Sequence, residues 1–281
     1  KPGEINWDTP WGIPGRPGWH IECSIMARKY LGDTLDIHAG GADLCFPHHE
    51  NEIAQSESLT GKPFVRYWLH NGYINMGNEK MSKSLGNVKR VVELRQEYES
   101  VVIRYFLLSA HYRQPISFDA ETMEQAKASV ERIRTAVYNL KHRRNAAQSG
   151  EVNPELLKEL SVLSQEFEQA MCDDLNTANA ISVLFDAVRL ANEWVAQPVV
   201  SKESMDHLLQ WFSKYGGEIL GLVEIDHEEE SIDDHIQELI EERNQAREAR
   251  DYQRADRIRD QLLEMGIILE DTPQGVRWRR K

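Results

Sequence analysis

The spacing of apolar residues along this 281-residue chain changes twice. Near the start, residues 7–18 (Trp-Asp-Thr-Pro-Trp-Gly-Ile-Pro-Gly-Arg-Pro-Gly) hold too much Pro and Gly for a helix or a central strand. Over 19–30 the apolar positions recur at helical spacing, and Gly32 predicts the stop. Residues 34–38 alternate like a short strand and run into Gly40-Gly41. Pro47 suits a first helical position, which predicts a helix over 48–59 ending before Gly61. Residues 65–76 read as a second pair of strands. A strand, a glycine turn and a helix in this order are how an open parallel sheet presents a binding loop.

From about residue 90 to 223 the period is helical almost throughout. Helices are predicted over 91–98, 101–112, 120–140, 155–171 and 178–195, broken at Gln114-Pro115, Gln148-Ser149-Gly150 and Gln197-Pro198. Residues 224–242 then hold ten carboxylates and no Lys or Arg, and read as an acidic hinge. Beyond it, 243–265 alternates charge along two short helices, and 267–280 reads as a hairpin turning at Thr272-Pro273-Gln274-Gly275.

Composition narrows the class. The residues are 41% hydrophobic and 28% charged, and no apolar run approaches the roughly 20 residues of a membrane span. Three cysteines do not make a disulfide framework, so a reducing compartment is expected. The net charge of −13 argues against nucleic acid at face value. That charge is uneven, however. Residues 243–281 hold ten Lys and Arg against seven Asp and Glu, so the segment after the hinge is basic.

Three clusters offer chemistry. Lys80-Met81-Ser82-Lys83-Ser84 places two lysines three apart in a Ser-rich loop, suited to clamping a polyphosphate. His48 and Glu52 are four apart on one predicted helical face, and with Cys23 they form a set of good Zn²⁺ ligands; Cys45 and His49 are rival candidates. His38-Ala39-Gly40-Gly41-Ala42-Asp43 ends a strand in a double glycine with an acid two residues on, placed to admit a nucleotide and bond a ribose hydroxyl.

The pentapeptide at 80–84 resembles the signature loop of class I aminoacyl-tRNA synthetases at all five positions. Gly18-Trp19-His20-Ile21-Glu22-Cys23, the run 38–44, Phe46-Pro47-His48-His49-Glu50-Asn51-Glu52 and Asp173-Asp174-Leu175-Asn176-Thr177 resemble the cysteinyl-tRNA synthetases within that class. The likeness covers the whole chain, most strongly residues 1–90. It implies an α/β fold, the second half of a Rossmann-like nucleotide-binding domain with the zinc ligands and signature loop (1–90). An all-α helical bundle for tRNA contact (91–223), the acidic linker (224–242) and a small α+β anticodon-binding domain (243–281) would follow.

The resemblance also implies roles. Cys23, His48 and Glu52 would be three of four zinc ligands, with one zinc per complete enzyme. Trp19 would line the amino-acid pocket. Gly41 and Asp43 would meet the ribose of ATP, and Lys80, Ser82 and Lys83 its phosphates, the two lysines being catalytic. ATP would enter with Mg²⁺. The reaction implied is activation of cysteine to cysteinyl adenylate and transfer to tRNA(Cys), with zinc reading the substrate thiol, in a cytoplasmic and monomeric enzyme with no membrane partner. Arg277, Trp278 and Arg279, with Arg280 and Lys281, set cations beside an aromatic ring and are candidates for tRNA contact, as are Lys141, Arg143 and Arg144.

The family's His-Ile-Gly-His type motif has no counterpart, since His20-Ile21-Glu22-Cys23 is not it. With no initiator methionine, the chain is expected to be the C-terminal part of such an enzyme, lacking the fourth ligand and unable to form the adenylate unaided. Two other readings remain. One is a paralogous ligase of mycothiol biosynthesis that joins cysteine to an amino sugar by the same adenylate chemistry. The other is an inert tRNA-binding fragment.

Overall fold

The computed structural model describes residues 3–77, 79–80, 88–223, 234–272 and 275–280. Two compact units result. The first runs to Leu94 and also takes in Ala110–Met123; the second holds Arg95–Ser109 and everything from Glu124.

In the first unit, α1 (His20–Leu31) ends at Gly32, whose φ of 96° is open to glycine and strained for other residues. β1 (Leu35–Gly41) leads through a short turn, Ala42–Leu44, into a π-helical turn, Cys45–His49, and then α2 (Glu50–Thr60). The helix predicted to start at His48 is therefore entered through a wider turn that already contains Pro47. α2 stops at Gly61 in the left-handed conformation, its N–H bonded to the Glu57 carbonyl. β2 (Val65–Asn71) returns parallel to β1, with Ile37 opposite Tyr67 and Gly40 opposite His70. This is the strand–helix–strand unit read from the sequence.

The second strand pair is arranged differently from the expectation. β3 (Ile74–Met76) does not pair with β2; it lies between β4 (Glu79–Lys80), antiparallel, and β5 (Ile116–Phe118), parallel. β5 falls between two predicted helices and was not foreseen, because three residues are too few to show a period. A close approach holds it there. The Gly72 N–H donates to the Tyr112 carbonyl at 2.7 Å, and a Cβ at Gly72 would lie 2.5 Å from the Gln114 backbone.

The second unit is helical. α3 (Val91–Glu97) crosses into it and is followed by α4 (Ser100–Leu108), α5 (Ala120–Ala146), α6 (Pro154–Cys172), α7 (Thr177–Val195) and α8 (Lys202–Trp211), which widens into a π-helical segment, Phe212–Ile219. The caps are chemical. Asn153, Asn176 and Ser201 each accept a backbone N–H at the start of α6, α7 and α8, and Pro154 takes the first helical position of α6. α6 and α7 turn back through Asp174 and Leu175, both at positive φ, and their apolar stripes bury Leu156, Phe167 and Leu184 completely, together with Phe212.

At the C-terminal end α9 (Asp234–Glu248) and α10 (Tyr252–Glu264) form a helical hairpin beside the antiparallel pair β6 (Ile267–Thr272) and β7 (Gly275–Arg280). Leu239, Ile258, Leu262 and Ile267 make their own small core. α9 begins inside the stretch read as a hinge. Its carboxylates hid the apolar Leu239, which the packing with α10 buries.

Candidate metal centre

The first unit gathers its chemistry where α1, β1 and α2 meet. His48, at the end of the π-helical turn, stacks with Glu52 and Ser56 of α2 on one side, and all three are buried. From α1, Ser24 hydrogen-bonds to Gln55 at 2.8 Å, which brings Cys23 against that stripe. The donor atoms of Cys23, His48 and Glu52 lie within 4.8 Å of one another. The trio read from the sequence is thus assembled by the fold.

Glu52 is the centre of the cluster and fully buried. Its Oε2 sits 2.7 Å from Nε2 of His38. Its Oε1 lies 3.0 Å from Nε2 of His48 but makes no aligned hydrogen bond. A carboxylate oxygen left so in the interior costs free energy unless a cation or donor reaches it. Burial raises the Cys23 thiol above its ordinary range, and the charge and hydrogen bonding of Glu52 push the same way. A cation bound among these donors would reverse that balance, since metal ligands bind deprotonated. Electron-rich, incompletely satisfied and buried except for the half-buried Cys23, the set fits a divalent metal.

Four further histidines surround it, and three of them had no role in the sequence reading. His20 Nδ1 and His48 Nδ1 are 2.7 Å apart, so one ring donates to the other and His48 turns its Nε2 inward. His49 was a rival ligand; it groups instead with His38 and Glu52, while its Nδ1 faces His70 Nε2 at 2.7 Å. Burial, and then the neighbouring His38, depress the His49 pKa. Cys45, the other rival, is exposed and joins neither group. His20, His38 and His70 lie in three separate elements, and no spacing rule links them. The nearest signal was their density, since residues 1–90 are rich in His.

The remaining candidates are placed as follows. Trp19, 58% exposed, stacks on the His48 ring with centroids 3.9 Å apart. The two glycines ending β1 make room for neighbouring side chains: a Cβ on Gly40 would lie 2.8 Å from the His49 ring, and one on Gly41 2.6 Å from the Asp43 carboxylate. Lys80 ends β4 opposite Asn75, whereas Ser82 and Lys83 lie outside the described residues. Arg277, Trp278 and Arg279 stand in β7 opposite Glu270, Leu269 and Ile268, and Lys281 lies outside the described residues. Arg143 is buried and its guanidinium donates to the Gln197 and Pro198 carbonyls, while Arg144 pairs with Asp206. Both have partners inside the helical unit.

Comparison with known proteins settles the ancestry. Residues 1–128 match the catalytic domain of class I (C) tRNA synthetases, 166–224 a DALR domain, and 229–279 the anticodon-binding domain of cysteinyl-tRNA ligases. Over its whole length the chain is 55% identical to the cysteine–tRNA ligase of Halalkalibacterium halodurans and 54% identical to that of Bacillus licheniformis. The chain belongs to the cysteinyl-tRNA synthetase family. It spans 59% of the length of those two relatives. The fold also resembles that of LeuRS from Agrobacterium radiobacter K84, solved in a ternary complex with tRNA and LeuAMS. That likeness has a TM-score of 0.53 at 18% identity, over 78% of this chain and 35% of the other. Within the cysteinyl-tRNA synthetase family, the match over 1–128 contains every member of the buried cluster. No helix among the described residues is long and apolar enough to cross a membrane.

Proposed function

We propose that the protein carrying this chain is a cysteine–tRNA ligase, which joins cysteine to tRNA(Cys) through a cysteinyl adenylate made from ATP. The observation that carries the reading is the convergence of Cys23, His48 and Glu52 around an unsatisfied buried carboxylate oxygen. Full-length identity to cysteine–tRNA ligases supports it.

Cys23, His48 and Glu52 would hold a zinc ion, which supplies a borderline-soft Lewis acid that favours a thiolate over a hydroxyl. The protein's residues prepare that site. His20 holds the outer nitrogen of His48, which fixes the ring and frees Nε2 for the metal. His38 holds one oxygen of Glu52 and leaves the other facing the cluster. Trp19 covers the His48 ring and gives the cysteine pocket an aromatic wall. A hydrophobic pocket alone separates near-isosteres by about 1–3 kcal/mol, so selection of cysteine over serine needs such a sulfur-reading site.

ATP, entering with Mg²⁺, would set its ribose at Gly41 and Asp43 and its phosphates at Lys80, Ser82 and Lys83. The two ammonium groups would neutralise charge that develops as the cysteine carboxylate attacks the α-phosphorus and pyrophosphate leaves. The basic strand around Arg277, Trp278 and Arg279 would contact the tRNA of a monomeric, cytoplasmic enzyme. The match of 229–279 to an anticodon-binding domain favours a tRNA acceptor over an amino sugar.

The test is made on the complete protein. Wild type should contain one zinc per chain and show ATP–pyrophosphate exchange with cysteine but not serine. Glu52→Ala and His48→Ala should lose the metal and raise the KM for cysteine before that for ATP. Unchanged zinc by elemental analysis in both variants would overturn the assignment.

A further inference from the structure

Beside the trio of Cys23, His48 and Glu52 stands a second set of metal-binding side chains, His38, His49 and Glu52. One donor atom from each lies within 4.8 Å of the others. His49 and Glu52 are buried, and the His38 side chain is 25% exposed. The two sets share only Glu52, and its two oxygens divide between them. Oε1 lies 3.0 Å from Nε2 of His48, whereas Oε2 lies 2.7 Å from Nε2 of His38.

The rings of the second set are held from behind. His70 meets Nδ1 of His49 at 2.7 Å, which leaves Nε2 as the ligand atom of that ring. Trp68 of β2 packs against both imidazoles, with centroids 4.8 Å from His38 and 4.9 Å from His49. Gly40 admits the inner edge of His49, since a Cβ there would lie 3.1 Å from Nε2 and 2.8 Å from the adjoining carbon. A hydrogen-bonded pair would account for His38 and Oε2 alone. It does not account for a third ligand brought to the same point with its other nitrogen already engaged. Two imidazoles and a carboxylate, with no sulfur, make a borderline N/O set that suits Zn²⁺, Co²⁺ or Ni²⁺. Two-metal sites hold their ions about 3.5–4 Å apart, and a carboxylate can give one oxygen to each. Two such ions would repel one another and share the single negative charge of Glu52, so the set without the thiolate binds more weakly.

We propose that His38, His49 and Glu52 form a second divalent-metal site, weaker than the first and bridged to it by the Glu52 carboxylate. The inference rests on the function proposed above only in placing the first ion at Cys23, His48 and Glu52. The second ion loads at metal concentrations above those that fill the first.

The test titrates the metal-free complete protein with Co²⁺ alone. Equilibrium dialysis reads the stoichiometry, and absorbance reads the thiolate-to-cobalt charge-transfer band. Wild type should bind two ions. The first should bring up the band, which reports Cys23, and the second should bind more weakly without adding to it. His49→Gln should lose the second ion and keep the first with its band. His70→Phe removes only the group behind His49, so it should weaken the second ion about 10–100-fold and leave the first unchanged. The proposal is overturned if wild type saturates at one ion or if the band grows with both. It is also overturned if the two variants leave the second ion unchanged, which would place it elsewhere on the surface, or lower both ions alike. A first ion that raises no thiolate band would instead overturn the zinc assignment on which the functional reading stands.

Discussion

The two units spend their interiors differently. Among the described residues, the first buries five apolar side chains (Leu35, Phe64, Leu94, Phe118 and Met123) and five polar ones (Ser24, His48, His49, Glu52 and Ser56). The second buries 39 apolar side chains and only Ser204, Arg143 and Arg243 as polar exceptions. Apolar burial is the main favourable term in folding, so the helical unit's interior is built for stability. The first unit's interior is built for chemistry. Its histidines and Glu52 pair at 2.7 Å, and one oxygen of Glu52 is left without an aligned hydrogen bond. A metal held at Glu52 would then contribute stability that the helical unit obtains from packing.

Three substitutions sharpen or break that contrast. The largest effect is expected from Phe167→Ala. This side chain is fully buried and its ring lies 4.8 Å from that of Tyr215, so about 3–5 kcal/mol of stability should be lost in urea unfolding. Zinc content of the folded variant should be unchanged; a parallel loss of metal would break the contrast. Next is Gly40→Ala, where the new Cβ would crowd the His49 ring at 2.8 Å. Overpacking of this kind costs about 1–3 kcal/mol, and the contact of His49 with His70 should be lost as well, read from imidazole NMR shifts. Retention of both stability and shifts would show that this polar interior yields easily.

The smallest effect is expected from Glu99→Gln. Two hydrogen bonds from Arg134, at 2.6 and 3.2 Å, hold the Glu99 carboxyl below the usual carboxylate range. A depressed pKa means a contribution present above the unfolded-state value and lost as pH falls through the folded-state value. Because both side chains are about half exposed, the wild-type advantage at neutral pH should be about 0.5 kcal/mol or less and vanish in acid. An advantage that persists in acid would assign the effect to packing.

Legibility followed the range of the interactions. α1, α6 and α7 match their predicted spans within one or two residues, because their stripes and stops are local. α9 was half hidden, since the ten carboxylates of 224–242 outweighed the apolar signal of Ile236, Leu239 and Ile240. β5 was invisible because its partner β3 lies some 40 residues upstream in the chain. The trio Cys23, His48 and Glu52 was readable only in part. The four-residue step from His48 to Glu52 is helical geometry, whereas Cys23 entered through its chemistry and through resemblance.

By itself the sequence determined the local periods, the caps and stops, the shared face of His48 and Glu52, and the family. Those depend on residues within a turn or two of one another. Tertiary structure alone decided that His38 and His49 group with Glu52, that His20 and His70 back His48 and His49, that one carboxylate oxygen stays unsatisfied, and that Cys45 is left outside. The physical reason is that a period places side chains on a face, but only the packing of separate elements decides what that face meets.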